Sequence, residues 1–363
     1  MTAVRIAERV ASLGLPGSST EPIAVDAEVG AALLAELSRH RVLGLFVRGV
    51  EAGLIHADDS VVHQAVGMHD AVMSQTMRIE IAAIHASTLF TDAGIDHRLL
   101  KGSALAHTCA TSPSDRSFRD VDVLVGAGDI SKAVHLLIGQ GAVRLQPELR
   151  LGYDQRFAKS VTMRLNDVEI DLHRTLCPGP FGVWMRPDDL FVLKQNMSLG
   201  GVSIPTLDRT DHLLHACYHA ALGQVDPVLS NLRDVALLAS SDADVPGGSG
   251  TRYDAERFDG TVARWRGRAV IRRAVGLVNG RLDVEMPESL GEYLHELVDA
   301  SELAAIDPYL ADDHDGRFAA LAPSTLRALP MSDRAAYALA VGLPDGTRPS
   351  DRALSLLARR RQR

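Results

Sequence analysis

Leu99-Leu-Lys-Gly-Ser103, Arg119-Asp-Val-Asp-Val-Leu-Val125 and Val168-Glu-Ile-Asp-Leu-His173 are the stretches whose reading decides the fold. Side chains alternate across a strand, so residues two apart leave the same face. Asp120 and Asp122 can therefore grip one ion. Val121, Val123 and Val125 point into the apolar layer beneath, while Leu124 shares the carboxylate side or begins the strand's exit. Upstream, a strand expected over residues 95–100 runs into Gly102-Ser103 and the helix-forming Ala104-Leu-Ala106. Small residues at such a turn let phosphates approach the backbone, and the free amides of a first helical turn attract anions. Downstream, Asn166-Asp167 reads as a hairpin turn between strands over 160–165 and 168–172. Asp171 then sits on a strand that can lie beside the first pair, and three carboxylates converge.

Outward from this centre, 363 residues are more than one compact core needs, so two or three units are expected. An apolar fraction of 46% permits proper cores. A formal charge of -8 and a pI near 5.9 disfavour non-specific nucleic-acid binding, which depends on Lys and Arg contacts to phosphates. Aromatics at 4% leave little for base-stacking platforms. Cys109, Cys177 and Cys217 are odd in number and widely spaced, the pattern of reduced thiols in a cytoplasmic protein. The first residues carry no apolar signal core, and no run approaches a membrane span in length. Of 38 basic residues only Lys101, Lys132, Lys159 and Lys194 are lysine. That bias suggests a GC-rich bacterial genome.

Patterning predicts an N-terminal helical region over 1–94, an α/β core over 95–200 and a C-terminal helical region over 201–363, with a loop near 240–254. In the first region, helices are expected over 27–39 and 42–53. A long helix capped by Ser60 runs towards Asp92, with Met73, Met77, Ile81 and Ile84 as its packing stripe. Gly94 closes it. In the second, Asp129 caps a helix over 130–138 buried through Val134, Leu137 and Ile138, and residues 142–145 return to the sheet. The fold class is α+β with a mixed sheet, and the absence of Gly-x-Gly-x-x-Gly sets a Rossmann dehydrogenase aside. Later helices are expected over 210–222, 229–240, 253–279, 285–300 and 331–341.

Lys101, at the turn itself, and Arg116 are the candidate cations for phosphate charge, since phosphoryl transfer is catalysed mainly by positioning and electrostatics. A surface ion pair with Asp115 is the structural alternative for Arg116. His212, His215 and His219 share a helical stripe, either solvent-facing or turned into a cleft where His219 reaches the nucleotide or acceptor. Without His-Glu-x-x-His they do not read as a zinc protease. His173 is expected near the metal site. Glu169 reads as a solvated strand residue. Trp184 and Trp265 read as packing anchors.

Taken in order, Leu-Lys-Gly-Ser, Asp-Val-Asp-Val-Leu-Val and Glu-Ile-Asp-Leu-His-Arg, with flanking helices that include Leu232-Arg-Asp-Val-Ala-Leu-Leu238, resemble a bacterial uncharacterised nucleotidyltransferase family of the DNA polymerase beta-like superfamily. The resemblance spans roughly residues 30 to 240. It implies that Gly102 and Ser103 hold nucleotide phosphates and that Asp120, Asp122 and Asp171 hold divalent metal. Mg²⁺ or Mn²⁺ suits carboxylates without a cysteine cluster. The expected reaction moves a nucleoside monophosphate from an NTP, with ATP the expected nucleotide, to an acceptor: a small molecule, a peptide or a protein. Asp171 is open to two roles, ligand and proton acceptor. The alternative is a non-catalytic nucleotide-binding or antitoxin-like interaction protein.

Overall fold

A computed structural model describes residues 1–240, 252–311 and 314–342. The Pro246-Gly-Gly-Ser-Gly250 stretch, in the loop expected near 240–254, and the arginines at 359–361 and 363 lie outside the described residues. A short parallel pair, β1 (Ile23–Val25) with β2 (Ile55–Ala57), ties the N-terminal helices together. The remaining strands are β3 (His97–Leu100), β4 (Asp120–Val125), β5 (Val143–Arg144), β6 (Ser160–Leu165), β7 (Val168–His173), β8 (Gln195–Leu199) and β9 (Val202–Thr206). They form one mixed sheet in the order β5-β6-β7-β4-β3-β9-β8. The class is α+β, as expected from the patterning.

Alternation divides the sheet between two cores. Leu99, Val121, Val123, Val125, Ile170 and Leu172 pack against Ile79, Ala83, Ala86 and Phe90 of the Asp59–Asp92 helix and Ile130, Ala133 and Leu137 of the Ile130–Gly139 helix. Leu100 and Leu124, one residue out of phase, join the other core, which is built from the N-terminal helices and the Arg209–Leu222, Leu229–Ala239 and Arg268–Arg281 helices. Leu124 thus shares the carboxylate side. Each such side chain removed from water contributes about 1.5–3 kcal/mol, and the polar residues interleaved with them are left facing the helices of the second core. Asn166 and Asp167 both take positive φ, 48° and 63°, and close the β6–β7 hairpin at the predicted turn.

Several local expectations are corrected. Asp58, rather than Ser60, caps the long helix: its carboxylate accepts the Ser60 N–H at 2.9 Å. That helix buries the Met73-Met77-Ile81-Ile84 stripe only in part: Ile84 packs against the sheet-side core, but Met77 and Ile81 are 61% and 66% exposed, because the alanine-bearing face fits more closely against the sheet. Ile138 is likewise exposed. The helix expected over 253–279 breaks into Ala255–Arg264 and Arg268–Arg281, where Trp265 plunges into the core and Arg266 takes a φ of 53°. The segment expected as one helix over 285–300 holds two short turns, Glu288–Gly291 and Glu292–Leu294. A separate helix starts at Ala300, capped by Asp299. Among the described residues no helix is long and apolar enough to cross a membrane.

Candidate metal and phosphate site

β4 and β7 run parallel with Asp120 opposite Glu169, Asp122 opposite Asp171 and Leu124 opposite His173. Two carboxylates from distant parts of the chain are therefore direct neighbours. On the far side of β7, Thr162 pairs with Asp171 and its hydroxyl donates to Asp171 Oδ1 at 2.5 Å. His173 donates from Nε2 to Asp122 Oδ1 at 2.7 Å, and Lys101 Nζ lies 2.7 Å from the same oxygen. Both contacts fall on Oδ1 rather than Oδ2. One donor atom from each of Asp122, Asp171 and His173 lies within 4.8 Å of the others. Asp120 shares their face but lies outside this group.

The electrostatics explain what such a group accepts. Burial works against ionisation of Asp122, but Lys101 and His173 outweigh it and hold its carboxyl well below the usual range. Asp120 is pushed up to about 6, first by repulsion from Asp122 and then by burial. The site thus concentrates more negative charge than Lys101 offsets. Carboxylate oxygens fit a hard divalent cation such as Mg²⁺ or Mn²⁺, and Asp122 and Asp171 are the residues that could hold it, with His173 joining them once Nε2 gives up the proton it donates to Asp122.

The turn beside this group is held by contacts from far away. Lys101 has a φ of 41°, a left-handed backbone that side-chain-bearing residues adopt at a cost. A Cβ on Gly102 would meet the Phe118 ring at 3.3 Å, so the close approach favours glycine there. Arg116 Nη1 donates to the Gly102 carbonyl at 3.2 Å, while its Nε and Nη2 donate to the two carboxylate oxygens of Asp234 at 2.9 and 2.7 Å. One strand back, the Thr206 hydroxyl donates to the Leu99 carbonyl at 2.6 Å and accepts from His212 Nε2 at 3.0 Å. A turn forced into this shape aims Lys101 at Asp122 and buries Ser103 at the start of the following helix.

Of the residues anticipated from sequence, Asp122, Asp171 and His173 are brought together, with Asp120, Lys101, Gly102 and Ser103 around them. Arg116 is buried and engaged by Asp234 and Gly102, so its direct contacts brace the turn; Asp115, its alternative partner, pairs instead with Arg48 at 2.7 Å. His212 and His215 are buried and not solvent-facing, because the Arg209–Leu222 helix is packed on nearly every side. His219 is partly exposed, and the charges of Lys101, Lys159 and Asp122 bear on it, as a residue on the site's side of that helix. Sequence reasoning missed Asp234, Thr162 and Lys159. Thr162 was recoverable from the hairpin register, which sets it beside Asp171. Asp234 sits inside the Leu232–Leu238 stretch that carries the resemblance, which by itself gives it no role, and Lys159 carries no local signal. Lys159 is half-buried, and burial and then the Lys101 charge lower its ammonium.

The crystal structure of an antigenic nucleotidyltransferase-like protein from Paracoccidioides brasiliensis is similar at 10% identity, over 57% of this chain and 93% of that one, with a TM-score of 0.30. No curated protein matches the chain. A family model described as "uncharacterised nucleotidyltransferase" matches residues 30–278, a span that takes in the braced turn, the Asp-x-Asp strand, the later Asp-x-His strand and the helix carrying Asp234. The chain belongs to the uncharacterised nucleotidyltransferase family.

Proposed function

We propose that the chain is a metal-dependent nucleotidyltransferase that moves a nucleoside monophosphate from an NTP, ATP by expectation, to an acceptor and releases pyrophosphate. The observation that carries this reading is the juxtaposition of Asp122 and Asp171 across β4 and β7, with His173 within 4.8 Å. In it, Asp122 and Asp171 hold Mg²⁺ or Mn²⁺, Asp120 adds charge on the same face, and Lys101, Gly102 and Ser103 take the phosphates. A divalent ion bound there supplies charge neutralisation for the leaving pyrophosphate and a lower pKa for the acceptor hydroxyl. The acceptor oxygen attacks the α-phosphorus, the bond to the β-phosphate oxygen breaks, and the acceptor proton passes to a carboxylate. Asp171 can take it on Oδ2, because Oδ1 already accepts from Thr162. Arg116 acts through the turn it braces, and His219 borders the acceptor side. Residues 95–200 carry the chemistry and the two helical regions frame it. The acceptor is a small molecule, peptide or protein in a cytoplasmic, bacterial setting.

The test is pyrophosphate release from each of the four NTPs with Mg²⁺ or Mn²⁺ and a pooled bacterial extract as acceptor, comparing the wild type with Asp122→Asn. Release that requires extract and disappears in the variant supports transfer, and mass spectrometry of the products then identifies the acceptor. Nucleotide binding without release in any combination rejects turnover and favours a binding or antitoxin-like role.

A further inference from the structure

Among the described residues, five other than glycine have positive φ: Arg41, Lys101, Asn166, Asp167 and Arg266. Asn166 and Asp167 are turn residues that tolerate this backbone. The other three are long cations in a conformation that glycine adopts without strain. Two of the three use the side chain visibly. Lys101 pairs with Asp122, and Arg266 stacks over the Trp184 ring at 4.3 Å and donates to the Ser301 hydroxyl at 2.5 Å. The Arg41 side chain has no hydrogen-bond or ion-pair partner among the described residues.

Its position is nevertheless built. Arg41 follows the Ala27–Arg39 helix, with its own N–H bonded to the Ser38 carbonyl and the next N–H to Leu37. His40 anchors the corner on both sides: its carbonyl accepts the Ser230 N–H at 3.2 Å and its Nδ1 accepts the Leu229 N–H at 3.1 Å. The Leu43–Glu51 helix that follows is clamped to the loop before β4, through Arg48 with Asp115, and so closely that a Cβ on Gly44 would overlap the Ser114 carbonyl. The corner is thus fixed against the approach to the Asp-x-Asp strand. The charges bearing on the Arg41 guanidinium are those of Arg119, Asp120, Arg116 and Asp122. Arg119, exposed one residue before Asp120, also has no ion-pair or hydrogen-bond partner for its side chain among the described residues.

We propose that Arg41, contributed by the N-terminal helices, forms with Arg119 a clamp for a phosphate group at the edge of the acidic site. The guanidinium fork matches a phosphate oxyanion in geometry and charge. Two sources present that chemistry, the terminal phosphates of the nucleotide and a phosphorylated acceptor. The clamp is defined by the strained corner and the two unpaired cations, and its role in transfer rests on the nucleotidyltransferase reading.

The test is titration of the full chain with pyrophosphate in the presence of Mg²⁺, for the wild type, Arg41→Gly and Arg41→Lys, with thermal unfolding of each. Glycine suits the backbone at this position, so Arg41→Gly is expected to keep or raise Tm while weakening pyrophosphate about tenfold or more. Arg41→Lys, which keeps the charge but not the fork, is expected to fall between. Displacement of pyrophosphate by a non-hydrolysable ATP analogue assigns the clamp to the nucleotide tail, and simultaneous binding assigns it to the acceptor. Equal pyrophosphate affinity in wild type and Arg41→Gly overturns the clamp, as does absence of binding to the wild type. A lower Tm with an affinity loss that lysine does not relieve makes Arg41 structural and overturns it too. Analogue binding by the wild type is read separately: its absence counts against the nucleotidyltransferase reading, not against a pyrophosphate-binding clamp.

Discussion

Two turns in this protein share a left-handed backbone and differ in what holds it there. At Asn166-Asp167 both residues tolerate positive φ and the flanking strands pair through Val168 and Leu165, so local chemistry is sufficient. At Lys101-Gly102 a lysine adopts a φ of 41°, and the turn is held by Arg116, Asp234, Phe118 and Asp122, none of them within ten residues. The first turn sets register for Asp171. The second positions the cation that faces it. A structural turn can be read from its own residues, whereas a strained functional turn depends on the rest of the molecule to enforce it.

The comparison is tested most severely at the carboxylates the second turn serves. Asp120→Asn is expected to lower transfer roughly a thousandfold, equivalent to about 4 kcal/mol in the barrier. The same change is expected to raise Tm by about 2–4 °C at pH 7.5, because it removes a carboxylate that Asp122 repels. A carboxyl with a raised folded pKa contributes stability at low pH that is lost as pH rises through about 6, so the gain should vanish near pH 4. Paired activity and melting measurements check both halves. Next in size, Arg116→Ala leaves Asp234 buried without its cation and should destabilise by about 3–5 kcal/mol in urea unfolding. Asp234→Asn, which keeps a hydrogen-bonding side chain, should cost less while still loosening the turn and lowering transfer.

A smaller effect lies in the histidines around the second turn and the Arg41 corner. Burial holds His212 down to about 3 and His40 down to about 4, so the fold prefers both neutral. Their contribution is fully present above the unfolded value of 6.5 and is lost as pH falls towards those lower values. Tm should therefore drop between pH 7 and pH 4, and a flat profile would contradict the burial argument. The smallest effect belongs to the first turn: Asp167→Gly should add about 0.5 kcal/mol of stability and leave activity untouched. A loss of activity there would mean that the hairpin turn is coupled to the site after all.

Reading along the chain reached as far as its own periodicities allow. The period of two on β4 and β7 separated Val121, Val123, Ile170 and Leu172 from Asp120, Asp122, Asp171 and His173, and the structure divides them the same way. The helical period was less decisive. Within residues 59–92 it pointed to the Met73-Met77-Ile81-Ile84 stripe, whereas the sheet took the face carrying Ile79, Ala83, Ala86 and Phe90 and left Met77 and Ile81 exposed. Nothing in that helix alone ranks the two faces.

What the sequence determined by itself is what alternation and turn chemistry dictate: the α+β class, the acidic face of the sheet, the hairpin that returns Asp171 to it, and the family to which these motifs belong. Tertiary structure alone decided that Arg116 reaches across 118 residues to Asp234 and braces Gly102, and that the helix after Arg41 is clamped to the loop before β4 through Arg48 and Asp115. Alternation and turn preference act between neighbours in the chain, and these contacts join groups far apart in it. Their cost in burial and strain is met only once the helices have closed over the sheet.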